Sequence, residues 1–282
     1  MCSWPTAGTT VSMSDTPENQ AEYPQHTAQE EGLGFPIARM VVLLSLATGM
    51  LCGMAMGPYS GKETGEPALF RELLPQVDPR TILLTDRYYC SYFLIALALL
   101  GRRDFVARLH QCRKIDFHKA RRLGKGDWVV EWKRPQRPDW MDEETYAQVP
   151  ETMRLRLVEV QVHERGFRVD RFAVVTTLMD SSEYPKEEIA ALYRKRWLAE
   201  LDIRAIKATL GMDVLRAKTP AMVRREIWTC LLAYNLLRKS VLQSASEAGL
   251  SPRELSFATA MQTIVSSLVV LAALELAPCL DA

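Results

Sequence analysis

AALYRKRWLAELDIRAIKATL, residues 190–210, is the stretch from which the rest of the chain is read. It holds neither Gly nor Pro and is built of good helix formers, so it reads as one helix. At about 100° per residue, Tyr193, Arg196, Glu200 and Lys207 fall within an arc roughly 60° wide. Leu192, Ala199, Ile203, Ile206 and Leu210 fall on an adjacent arc about as wide. The helix therefore carries an apolar stripe for packing and, beside it, a strip with one carboxylate, two cations and a phenol. Spacing alone leaves open that this strip is an ordinary solvated face.

The pattern Tyr-x2-Arg-x3-Glu-x6-Lys resembles the YREK signature of DDE transposases of the IS-four group of bacterial insertion sequences. The flanks resemble that family too, YPKEEIAALYRKRW before and LGMDVLRAKTPAMVRREIW after. The resemblance implies that Glu200 is the last of three metal-binding carboxylates and that Tyr193, Arg196 and Lys207 hold DNA phosphates near the cut. It also implies two aspartates upstream.

Composition neither supports nor opposes this. The 282 residues are 48% hydrophobic and 24% charged, with a net charge of +1. That suits one large globular domain or two small ones. Locally, residues 102–137 hold twelve Lys/Arg against four acids, a candidate phosphate-facing surface or a basic solvated loop. The six cysteines form no CxxC or Cys/His cluster, and the four histidines no ligand pattern. A zinc site is not expected, and reduced thiols in a cytoplasmic protein are. Residues 40–61 and 257–274 carry no charge and are long enough to cross a bilayer. The first is broken by Gly49, Gly53, Gly57 and Pro58 and reads as two buried strands. The second holds Thr259, Gln262, Thr263, Ser266 and Ser267 and reads as a packed or partner-seeking helix. No membrane span and no signal peptide are expected.

In order along the chain, residues 6–13 read as a short strand and 14–34 as a polar loop. Residues 35–46 and 51–57 read as two more strands, completing an antiparallel meander. A helix over 64–77, a buried strand TILLT at 81–85, a helix over 91–100 and a strand over 104–109 follow. Residues 110–170 mix strand-like pieces (128–132, 155–162) with prolines and charges. Residues 172–178 read as a buried strand, the signature helix starts near Pro185, and 219–242 form a further helix. Organisation is weak beyond Leu250. This order suits a mixed α/β fold with an RNase H-like core. The expected division is 1–109 for the first part of the core, 110–170 for a β-rich insertion, 171–245 for the second part with the signature helix, and 246–282 for a helical tail.

LLTDRYY, ending at Tyr89, resembles the family's second-aspartate region, which makes Asp86 the second metal ligand; the competing reading is a strand-end cap. Arg87 beside it is a further candidate for the DNA backbone. The first aspartate belongs in a segment resembling Asp-Gly-Thr, and here Ala7-Gly8-Thr9 stands in its place. Asp15, eight residues on, lies about 26 Å along an extended strand and is a poor substitute. The family's chemistry uses two divalent ions about 3.5–4 Å apart, Mg²⁺ or Mn²⁺ in its stead, usually bridged by that first acid. Weak metal binding and impaired strand transfer are therefore expected. The resemblance also implies a region ahead of the first acid that recognises element ends. None precedes Met1, which is expected to be an internal start in a decayed element.

The function expected from the resemblance is DNA-mediated cut-and-paste transposition by metal-dependent strand cleavage and transfer. The partners implied are double-stranded DNA and a second copy of the chain. The alternative is a non-catalytic DNA-binding remnant. Trp128, Trp132 and Trp140 are candidates to support a flipped base, and Trp197, off the signature arc, reads as core.

Overall fold

Apolar, β-branched runs supply the centre of the molecule, and a computed structural model describes residues 2–30, 32–161 and 171–276, with side chains as far as 267. The first strand, β1 (Ser3–Met13), starts three residues earlier than expected. The supposed loop after it contains a short helix, α1 (Pro17–Glu22). Thr16 caps it by accepting the Asn19 N–H, and Pro17 sits in the first turn, where a missing N–H costs nothing. β2 (Ile37–Leu44) and β3 (Leu51–Pro58) complete the antiparallel meander. Gly49 makes their turn possible at φ 74°, a conformation costly for other residues.

The next elements follow the expected order. They are α2 (Glu66–Leu73), β4 (Ile82–Thr85), α3 (Tyr92–Leu100) and β5 (Asp104–Arg108). β4 runs parallel to both β1 and β5. The following segment is β-rich, with β6 (Arg121–Gly124), β7 (Asp127–Lys133), one short helix α4 (Glu143–Gln148) and β8 (Thr152–Gln161). β9 (Arg171–Thr176) returns antiparallel between β8 and β5. Residues 162–170 of the expected insertion, with His163, and residues 277–282 of the expected tail, with Cys279, lie outside the described residues.

The strands form one ten-stranded sheet in the order β3-β2-β1-β4-β5-β9-β8-β7-β6; the tenth, β10 (Val214–Leu215), joins the far end of β1. The meander, then the parallel strands, with helices on both faces, is the arrangement expected for an RNase H-like core.

The signature stretch is helical throughout but not uniform. α5 (Lys186–Arg194) passes through a 3₁₀ turn (Lys195–Trp197) into α6 (Leu198–Arg204) and then a π turn (Ala205–Thr209). A long helix, α7 (Pro220–Glu247), and a final one, α8 (Phe257–Leu276), follow; the tail is more regular than its sequence suggested. No described helix is long and apolar enough to cross a membrane.

Alternation along the strands splits the core between the two faces of the sheet. Leu43, Leu83 and Phe105 pack with Phe70 and Leu73 of α2 and Ile95 of α3. On the other face, Ala7, Val42 and Met40 pack with Ala199, Ile206, Ile227, Leu231 and Tyr234, while Leu84, Val106 and Val174 pack with Ile189 and Tyr193. Fully burying each such large side chain contributes about 1.5–3 kcal/mol. Trp197 is a correction: it stands 49% exposed, because about 100° per residue puts it roughly opposite the packed stripe.

Two buried ion networks hold elements that packing alone would leave free to slide. Arg156, fully buried, donates to both Asp127 oxygens at 2.9 and 2.6 Å and to the Tyr184 carbonyl at 2.7 Å. Asp202 of α6 accepts from Arg238 of α7 and from Arg253 ahead of α8. Arg253 also donates to the Ser45 and Leu46 carbonyls at the meander's turn.

Candidate active site

β1 pairs with β4 only through Ser3–Pro5 and meets β10 only at Ser12 and Met13. Between these contacts its β4 side is unpaired, and a cleft of about 250 Å³ opens at the carboxyl end of β4. Such a gap beyond strand ends is where open α/β sheets place ligands. Ala7, Asp86, Arg196 and Glu200 all line it, although they lie far apart in sequence.

Asp86 leaves the end of β4 and accepts the Tyr88 N–H at 2.6 Å, capping the 3₁₀ turn Arg87–Tyr89. The capping reading of Asp86 is observed, and the residue also lines the cleft. Glu200, on α6, accepts from Arg196 Nη2 at 2.7 Å across one helical turn. That charge-assisted bond orients the carboxylate and neutralises it where other acids stand near. Burial works against the Arg196 charge, but Tyr193, Glu200 and Asp86 outweigh it and raise its pKa. Ala7 is 6% exposed and presents a methyl group on the α6 side of the sheet, with no oxygen to offer.

The other expected site residues are placed less uniformly. Tyr193 is buried against Phe172, ring centres 5.6 Å apart. Burial first, and Asp86 second, push its hydroxyl up to about 12 against the pull of Arg196. Lys207 sits in the π turn, donates to the Thr10 carbonyl at 3.0 Å and pairs with Asp213 at 2.7 Å, away from the cleft. Arg87 is exposed and donates to Gln111 at 3.1 Å. Of the tryptophans, Trp132 is buried beneath Arg113, Trp140 packs on Phe93 and Arg71, and Trp128 lies against Phe117. Asp15 accepts from Gln20, a local structural bond.

One acid in the cleft was not singled out from sequence. Glu66, the first residue of α2, reaches over Gly8 and accepts the Tyr89 hydroxyl at 2.9 Å. A Cβ on Gly8 would fall 2.2 Å from Glu66 Cδ, so the glycine makes the room. Burial, and then Asp86, raise the Glu66 pKa, opposed by the Tyr89 hydrogen bond and Arg39. In sequence Glu66 is an acid in the first turn of a helix, an ordinary position. Its contacts with Gly8 and Tyr89 distinguish it, and no local pattern carries them.

The cleft's donors are carboxylates and a hydroxyl, the hard oxygen ligands that suit Mg²⁺ or Mn²⁺. As the side chains stand, no three of His, Cys, Asp and Glu among the described residues converge to hold a metal. Glu200 is held by Arg196 and Asp86 by its turn.

The description "Transposase DDE domain" matches residues 5–236, which contain the whole cleft. The chain belongs to the DDE transposases. Transposase InsG for insertion sequence element IS4 of Escherichia coli (strain K12) is 32% identical over 266 residues, covering 91% of this chain and 56% of that protein. The transposase for insertion sequence element IS421 of Escherichia coli is 34% identical over 82 residues, 29% of this chain and 21% of that one. The chain spans little more than half the length of InsG. Among solved structures, a piggyBac transposase synaptic complex with hairpin DNA is similar at a TM-score of 0.56 and 10% identity, over 94% of this chain and 52% of that one. That likeness supports an RNase H-like transposase fold. In this DDE transposase chain the cleft brings Ala7, Asp86, Arg196 and Glu200 together.

Proposed function

We propose that this chain carries the catalytic core for cut-and-paste movement of an insertion sequence, acting on double-stranded DNA. The observation that carries the reading is the cleft itself, where Asp86 at a strand end and Glu200 on a helix meet beside β1 in a chain of the DDE family. Bound divalent ions would activate the attacking water or 3′-hydroxyl and stabilise the leaving oxygen. Asp86 and Glu200 would hold Mg²⁺, or Mn²⁺ in its place. Arg196 is the fork that would take a phosphate, Arg87 and Lys207 would add charge along the backbone, and buried Tyr193 would steady Arg196 and Glu200. The division at 1–109, 110–170, 171–245 and 246–282, a cytoplasmic location and a homodimer on paired DNA ends belong to the same reading.

Ala7 favours a second outcome, an impaired enzyme or a DNA-binding remnant, because the methyl leaves the shared-ligand position without an oxygen. The test is nicking of DNA carrying the element's ends in Mg²⁺ and in Mn²⁺ by the unmodified chain, Ala7→Asp and Glu200→Ala. Ala7→Asp is expected to nick at least tenfold faster than the unmodified chain, and Glu200→Ala not at all. Equal, measurable rates for all three would rule out the assignment of the cleft, whereas three inert proteins would point to wrong DNA ends or to a further region needed to recognise them. Both readings predict DNA affinity that falls steeply with salt.

A further inference from the structure

A second cavity, of about 440 Å³, opens at the amino end of β1, the far end of that strand's pairing with β4 from the cleft. Ser3 of β1, Ser45 just past β2, Lys195 of the signature stretch, and Ser251 and Arg253 ahead of α8 come together there. Three acids line the cleft, whereas among the described residues none lines this wall. Its polar side chains are donors. Lys195 is exposed, and among the described residues its ammonium has no ion pair or hydrogen bond; nor does the Ser3 hydroxyl have a hydrogen bond. The hydroxyls of Ser45 and Ser251 accept the Thr48 and Arg253 N–H groups, each at 3.3 Å, and donate to no described residue. Arg253 gives Nε to the Leu46 carbonyl, Nη1 to Asp202 and one Nη2 proton to the Ser45 carbonyl, which leaves Nη2 a further N–H. The charges do not balance either. Arg238 and Arg253 share the single carboxylate of Asp202, so that cluster carries one positive charge in excess. Lys195 adds a second. A buried charge without a counter-charge is costly, and an anion with several acceptor oxygens is the partner that suits both the charge and the donors.

We propose that this pocket is a phosphate site, in which Lys195 supplies a point charge, Arg253 a guanidinium N–H, and Ser3, Ser45 and Ser251 hydroxyl donors. It is separate from the cleft and does not depend on a metal there. Ser3 stands ahead of Ala7 in β1, about 13 Å away along an extended strand. One strand of a duplex carries a phosphate for each ~3.4 Å of axis. A strand with its reactive phosphate at the cleft therefore brings another to this pocket about four nucleotides away. A free phosphate, or a small phosphate ester, satisfies the same donors.

The experiment is calorimetric titration of inorganic phosphate into the full chain, in chelator and at fixed ionic strength. Lys195→Gln is expected to weaken binding about tenfold and Ser3→Ala about threefold. Melting should stay within a few degrees, since neither side chain has a described partner to lose. No binding of phosphate, or equal binding by the unmodified chain and both variants, overturns the proposal. Loss in Lys195→Gln with none in Ser3→Ala would mean attraction by surface charge alone, and overturns the pocket too. The source of the phosphate is read from labelled duplex DNA in the same buffer. Displacement of the duplex by phosphate, with a salt dependence that falls by about one ion in Lys195→Gln, makes the ligand a backbone phosphate of bound DNA. Phosphate binding that leaves the duplex in place makes it a free phosphate or a small phosphate ester. Either result sustains the site.

Discussion

Thr6 puts a cost on the cleft that can be measured without any substrate. Its hydroxyl is buried and has no hydrogen-bond partner among the described residues, and such a group costs about 1–3 kcal/mol. Thr6→Val removes the hydroxyl and keeps the branched shape. In chelator the variant is expected to be more stable than the unmodified chain by about 1 kcal/mol or more in urea unfolding. A less stable variant would mean that the hydroxyl finds a partner in solution. At this scale the sequence was uneven in what it showed. Asp86 and Glu200 were legible because their flanks are local, and the cleft does bring them together. Glu66 was not, because its place depends on a glycine in β1 and a tyrosine after β4, three separate elements that only folding joins.

The signature helix shows where a periodicity argument stops. Uniform rotation placed Lys207 on one strip with Arg196 and Glu200. The 3₁₀ turn tightens the helix before Glu200 and the π turn loosens it before Leu210, so the strip is not a straight line. Lys207 instead reaches Thr10 and Asp213. Helical character was written in the composition, but departures of this kind depend on tertiary packing. The same helix is anchored by Asp202, a residue unremarkable in sequence and 1% exposed in the fold. Asp202→Asn leaves Arg238 and Arg253 without their counter-charge. It is expected to cost about 3–5 kcal/mol in urea unfolding. Arg253→Met should cost less, since Arg238 would keep its partner. Equal losses would mean that Arg253 acts mainly through the Ser45 and Leu46 carbonyls.

The strand order of the first half was legible, because three apolar runs with short turns and then strand–helix–strand units admit few topologies. How the β-rich segment attaches was not: β9 pairs antiparallel with β5, and the sheet runs on unbroken. β5 is therefore interior, with Phe105, Val106 and Ala107 fully buried. Replacing residues 110–184 by a short Gly/Ser linker would bare this apolar strand as an edge. The shortened chain is expected to elute as soluble aggregate in light-scattering chromatography; a clean monomer would show that the five-strand half stands alone. The unbroken sheet also fixes a length. From β1, at the cleft, to β6 there are six strand-to-strand steps. At ~4.8 Å a step they span about 29 Å. A duplex rises ~3.4 Å per base pair, so that distance is roughly eight to nine pairs. DNA seated with its reactive phosphate at the cleft and laid along the sheet would meet the exposed Arg121 and Arg122 nearly one helical turn away, and the strand pairing would set the footprint as a ruler sets a cut.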